Sequence, residues 1–130
     1  MRTKSFAVGL VLVLALSVAG VQAWAQKVKA NIPFDFVAGE QEFPAGNYQI
    51  KFETGLQKHL ILKSLDDSDL SANVMYITRL SEREGGEPCL IFDKDGDKAY
   101  LSEVYMVGMD GFHLQGAPGK HTHQKVAGGK

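Results

Sequence analysis

The sequence predicts an all-β protein: a small antiparallel β-sandwich or partly open barrel of about six to seven strands, behind a cleaved signal peptide. Three observations lead there. From Val28 onward apolar and polar residues alternate with a period of two, as in strands with one wet face. Turn-forming residues recur about every ten positions, the spacing of short antiparallel strands. No stretch of residues 26–130 keeps the 3.6-residue period of an amphipathic helix for three turns.

The first segment is of another kind. Arg2 and Lys4 are followed by a charge-free run from Phe6 to Val21, about 16 residues where a comfortable membrane crossing takes about 20. Ala23-Trp24-Ala25 then supplies small residues at the −3 and −1 positions of a cut before Gln26. A basic start, an apolar run and a small-residue exit describe a secretory signal peptide. Residues 1–25 are therefore read as signal peptide, 26–116 as a single β-domain and 117–130 as a flexible tail. No second apolar run follows, so no membrane span is expected in the mature chain. A lipid anchor needs Cys just after the cut, and the single Cys is Cys89.

Val28, Ala30, Ile32, Phe34 and Phe36 fall on one face of the first strand, which Pro33 interrupts or confines to an edge because proline has no N–H to donate. Ala38-Gly39-Glu40 and Pro44-Ala45-Gly46-Asn47 read as turns. Tyr48, Ile50 and Phe52 share a face of the next strand, with Lys51 pointing to water, and residues 57–64 return with Leu60 and Leu62 together. Residues 71–79 are rich in β-branched and aromatic side chains and form a further strand. Residues 81–87 are a charged loop. Cys89 to Phe92 is an apolar strand, and Asp95-Gly96 marks a hairpin in which Phe92 would face Ala99 and Leu90 would face Leu101. Residues 117–130 hold one large aliphatic side chain, Val126, and so are expected to supply no core.

The combination Asn31-Ile32-Pro33-Phe34-Asp35-Phe36, then Phe43-Pro44-Ala45-Gly46-Asn47-Tyr48, then Leu90-Ile91-Phe92 and Asp95-Gly96-Asp97-Lys98-Ala99-Tyr100-Leu101-Ser102 resembles a group of small, uncharacterised exported proteins of Acidobacteria-like soil bacteria. The resemblance covers residues 26–105. It implies an envelope or secreted location and assigns no functional residue.

The chemistry-bearing residues yield no catalytic, cofactor or metal assignment. Lys+Arg of 14 against Asp+Glu of 15 gives a net charge of −1 and no electrostatic case for a nucleic-acid partner. Asp93, Asp95 and Asp97 suggest a calcium loop, but an EF-hand starting at Asp93 needs Gly and Glu where Lys98 and Val104 stand. Asp66, Asp67 and Asp69 read as a polar turn. His113, His121 and His123 could attract Zn, Ni or Cu, yet no carboxylate or Cys lies among them in sequence, and they read as a solvated segment. His59 reads as a surface residue. Cys89 reads as a buried structural thiol, with an intermolecular disulfide or a catalytic nucleophile as alternatives; a nucleophile needs an activating base that no local motif supplies. Neither G-x-S-x-G, H-E-x-x-H nor a phosphate-binding glycine loop occurs. The expected function is that of a non-enzymatic, periplasmic or secreted β-domain without a cofactor, binding an envelope protein or serving structurally. A lipocalin-like carrier of a small apolar ligand is the alternative, with the aromatic residues lining its cavity.

Overall fold

The chain is all-β in a computed structural model that describes residues 26–53, 55, 57–82 and 87–129. The signal peptide expected over residues 1–25 lies outside the described residues. Ten strands are present among the described residues, more than the six to seven expected. They are β1 (Gln26–Ile32), β2 (Phe36–Ala38), β3 (Gln41–Phe43), β4 (Gly46–Phe52), β5 (His59–Ser64), β6 (Ser71–Leu80), β7 (Cys89–Asp95), β8 (Lys98–Tyr105), β9 (Gly111–Leu114) and β10 (Thr122–Ala127). The surplus consists of three short strands and of β10 in the expected tail. Three or four residues, as in β2, β3 and β9, do not display a period.

Pro33 ends β1, as the missing N–H requires. The chain then changes sheets. β1 lies antiparallel to β4 from Gln26–Phe52 to Ile32–Gly46, and β4 continues to β5 and β5 to β6. β2 leaves that layer and meets β8 in parallel at Val37–Tyr100, while folding back on β3. The corner between layers is β6. Its first half, Ser71–Met75, pairs with β5. After an irregularity between Tyr76 and Thr78, its second half pairs with β9. A bulge bends a strand in this way and lets one strand serve two layers. The second layer continues β9, β8, β7, β10.

The two layers enclose one core of Val28, Ile32, Phe36, Phe43, Tyr48, Ile50, Leu60, Leu62, Leu90, Phe92, Leu101, Phe112, Leu114 and their neighbours. Aromatic rings fill its centre by contacting one another. Phe36 meets Phe43, Tyr48 and Phe92 at 5.3, 5.1 and 5.5 Å between centroids, and Phe34 meets Phe92 edge-on at 5.0 Å. The Tyr48 hydroxyl finds its partner in the Pro44 carbonyl at 2.6 Å. Burial is the first cause of its raised pKa, with Asp66, Asp35 and Asp67 adding to it.

Two expectations are corrected. The hairpin after β7 is offset from the predicted register: Asp95 pairs with Lys98, Phe92 with Leu101 and Asp93 with Tyr100. Gly96, at φ 59°, is the first of two loop residues, and Asp97 is the second. That places glycine where a II′-type turn needs a positive φ. A further shift between Ile91 and Phe92 leaves Ser102 as the extra residue of β8.

The larger correction concerns residues 117–130. They are not a flexible tail along their length. Thr122–Ala127 pairs residue for residue with β7, from Thr122–Lys94 to Ala127–Cys89, and Val126 is buried in the core. The segment lacks apolar side chains because it contributes backbone: β7 would otherwise expose an unpaired edge. Beyond β10, Gly128 N–H donates to Pro88 O at 3.0 Å, and Lys29 and Gly129 exchange two 2.8 Å backbone hydrogen bonds. That bridge ties the second layer to β1 at one point, and among the described residues the ladder goes no further. The sheet therefore stays a partly open sandwich and is not a closed barrel.

Removing residues 117–130 should destabilise the domain by about 3 kcal/mol or more, from buried Val126 and the lost ladder. A chemical-denaturation midpoint unchanged by the truncation would refute the pairing. Core position also ranks two phenylalanines. Phe92 is fully buried, whereas Phe52 lies at the core margin, with the Arg79 guanidinium 5.4 Å from its ring. Phe92→Ala should cost about 3–5 kcal/mol and Phe52→Ala about 1–2 kcal/mol. Equal losses in paired denaturation curves would contradict the ranking.

Candidate functional site

A titratable cluster forms where β10 crosses the end of β7. Strand alternation puts Leu90 and Phe92 into the main core and turns Cys89, Ile91 and Asp93 to the opposite face. There Cys89, Ile91 and Tyr105 form a second small core with Leu80 against it. Asp93 ends this row and is itself only 3% exposed. The β10 register sets His123 directly opposite Asp93. His121, two residues earlier, shares the face of His123, and the two rings lie 5.1 Å apart.

The result is a convergence of one carboxylate on two imidazoles. Asp93 Oδ1 is 3.3 Å from His123 Nε2 and 3.5 Å from His121 Nε2, and all three ligand atoms lie within 4.8 Å of one another. The other carboxylate oxygen, Oδ2, accepts the Ala117 N–H at 3.0 Å. The segment leading into β10 lies close over this carboxylate. A Cβ on Gly116 would overlap Asp93 Oδ2 and crowd the Ser102 hydroxyl, so only glycine passes there without displacing Asp93. Asp93 Oδ1 is buried and has no hydrogen-bond partner among the described residues. A buried carboxylate oxygen in that condition calls for a positive charge beside it.

His121 is oriented as well. Its Nδ1 lies 2.8 Å from the Gly119 carbonyl oxygen. A carbonyl can only accept, so Nδ1 carries the hydrogen, and Nε2 is the ring nitrogen turned to Asp93. A hollow of about 610 Å³ opens beside the cluster, lined by Lys94, Lys120, Gln124 and the two histidines. Lys94 Nζ sits 4.6 Å from the Phe34 ring centroid.

The other residues weighed in the sequence are placed elsewhere. His113 is on β9 opposite Glu103 and Thr78, outside the cluster. His59 Nδ1 bonds to the Gln57 carbonyl. Asp95 and Asp97 sit exposed at the hairpin, so the Asp93-Asp95-Asp97 set does not converge. Asp66 bonds the backbone and side-chain amides of Asn47 at 2.9 and 3.3 Å, and those bonds, the backbone one first, lower its pKa. Asp67 caps Asp69 N–H at 3.1 Å. The acidic turn thus serves the backbone. Cys89 is fully buried, as the structural reading expects. Asp93 is the residue that sequence spacing missed as a partner of the histidines. Its signal was the period of two: Cys89, Ile91 and Asp93 share a face, and His121 and His123 share another.

Two further hollows bear on binding. A cleft of about 370 Å³ between the β2–β3 hairpin and the β7–β8 turn has Phe36 and Phe43 at its floor and Asp35, Glu42, Asp97 and Lys98 at its rim. Both phenylalanines are 2% exposed, so the aromatic core is sealed from it. A groove of about 880 Å³ runs beside β6 and includes Met75 and Ile77, which are 60% and 56% exposed. No helix among the described residues is long and apolar enough to cross a membrane. Compared with known protein families, with curated proteins and with solved structures, the chain matches none of them.

Proposed function

We infer that this chain is an exported β-domain of the cell envelope or the secreted fraction, acting by binding or as a structural element and not by catalysis. The observation that carries the reading is the charge-free run from Phe6 to Val21 with its small-residue exit before Gln26. The Ala23-Trp24-Ala25 exit stands immediately before it, and β1 is paired with β4 from Gln26 itself. A cut there would remove the expected leader and keep every described strand, β1 included. The non-catalytic part of the reading is supported by Cys89, the strongest nucleophile of the chain, which is sealed in the interior. The carrier alternative draws less support: the aromatic rings pack against one another, and Phe36 and Phe43, the two that border the 370 Å³ cleft, are each only 2% exposed. Met75 and Ile77, large apolar side chains left to solvent beside a groove, give a protein partner its contact surface.

The test is isolation of the native protein from envelope and culture fractions. Its intact mass should correspond to a chain beginning at Gln26. A partner recovered with it should be lost when Met75 and Ile77 are both changed to Glu. A chain still carrying Leu10–Leu16 would overturn the export reading, and a partner indifferent to both substitutions would overturn the assigned surface.

A further inference from the structure

The geometry points to a binding site for a divalent late-transition metal ion at Asp93, His121 and His123, with Zn²⁺ the ion that fits the donor set. Three observations carry it independently of how the protein is exported. The first is separation. Tetrahedral Zn²⁺ with bonds of about 2.0–2.2 Å holds its ligand atoms about 3.3–3.5 Å apart. Asp93 Oδ1 lies 3.3 and 3.5 Å from the two Nε2 atoms.

The second is lone-pair direction. The Gly119 carbonyl accepts the Nδ1 hydrogen of His121, so Nε2 is the nitrogen that offers its lone pair to a metal ion whenever the ring is neutral. Asp93 Oδ1 is also an acceptor. Nε2 and Asp93 Oδ1 face each other across 3.5 Å, and with the ring neutral both are acceptors, which a cation between them makes attractive. The Nδ1–carbonyl contact is the outer support that metal-bound histidines commonly have. The third is burial: Asp93 Oδ1 is enclosed and otherwise unpartnered, while Ala117 N–H and the passage of Gly116 hold the carboxylate in place. Part of the site is thus set before any ion arrives.

The donor types choose the ion. Ca²⁺ and Mg²⁺ take oxygen ligands in larger number. Two imidazoles and one carboxylate suit Zn²⁺ and its neighbours. Three protein ligands leave a fourth position for water, and the hollow lined by Lys120, Gln124 and the two histidines adjoins the site. The ion would join β7 to β10 and the segment before it, fastening the strand that covers the β7 edge. Binding only to the folded chain, it would raise stability by mass action.

The test uses the purified, untagged protein stripped with a chelator and titrated with Zn²⁺ in a calorimeter. One Zn²⁺ per chain is expected. Loss of an outer hydrogen bond to a metal ligand commonly weakens affinity by about 10–100-fold, so His121→Ala and His123→Ala, which each remove a ligand, should weaken it by about 100-fold or more. His59→Ala should bind as the parent does. Asp93 is buried and its replacement can unfold the chain, so the exposed histidines carry the test, with circular dichroism showing that their variants fold. Co²⁺ substitution adds a readout of geometry: the parent should show the intense visible bands of a tetrahedral ion, and both histidine variants should lose them. A parent that binds no Zn²⁺, or a His121→Ala/His123→Ala double variant that binds it equally well, would overturn the proposal.

Discussion

The unpaired edge of β7 is the constraint on which the second layer depends. Cys89, Leu90, Ile91, Phe92 and Asp93 are all buried in succession. A strand buried on both faces has no solvent for its edge N–H and C=O groups, so each edge must meet another strand. β8 takes one edge and β10 the other. Once β10 lies there, Gly129 reaches Lys29 on β1, and the two layers are joined on the side away from the β6 corner. Closure by β10 therefore links three things: satisfaction of the β7 backbone, the second junction between layers, and the placement of His121 and His123 over Asp93.

Side-chain pattern and backbone demand were legible to different degrees in the sequence. Val28, Ile32, Tyr48, Ile50, Leu60 and Leu62 alternate cleanly, and all are buried as alternation predicts. Pro33 marked the end of β1 because its missing N–H acts locally. The β10 strand was hidden for the opposite reason. Of its six residues, Val126 alone is buried, and what it gives the fold is hydrogen-bonding backbone, which composition does not record. The hairpin offset has a similar origin. Asp95-Gly96 signals a turn, but the Ser102 bulge and the pairing of Asp95 with Lys98 decide its register.

The candidate site shows the same division. A pair of histidines two apart in a glycine-rich segment looks solvated so long as the segment is taken as unstructured. With His123 on β10 and His121 just before its first residue, the same spacing brings both rings to one face, 5.1 Å apart. The missing carboxylate was in view as the last residue of an apolar run, where a charge on a buried face needs compensation. Its distance along the chain concealed the relationship, because a strand pairing between β7 and β10 is visible only once the edge of β7 is counted. The site is therefore a product of the closure and not a local motif.

Native-state hydrogen exchange along β7 and β10 tests that closure most directly. If β10 is an integral strand, its amides bonded to β7 should be protected within about tenfold of the β7 interior amides, because both open in one cooperative event. Exchange of the β10 amides at open-chain rates, with β7 still protected, would contradict the account.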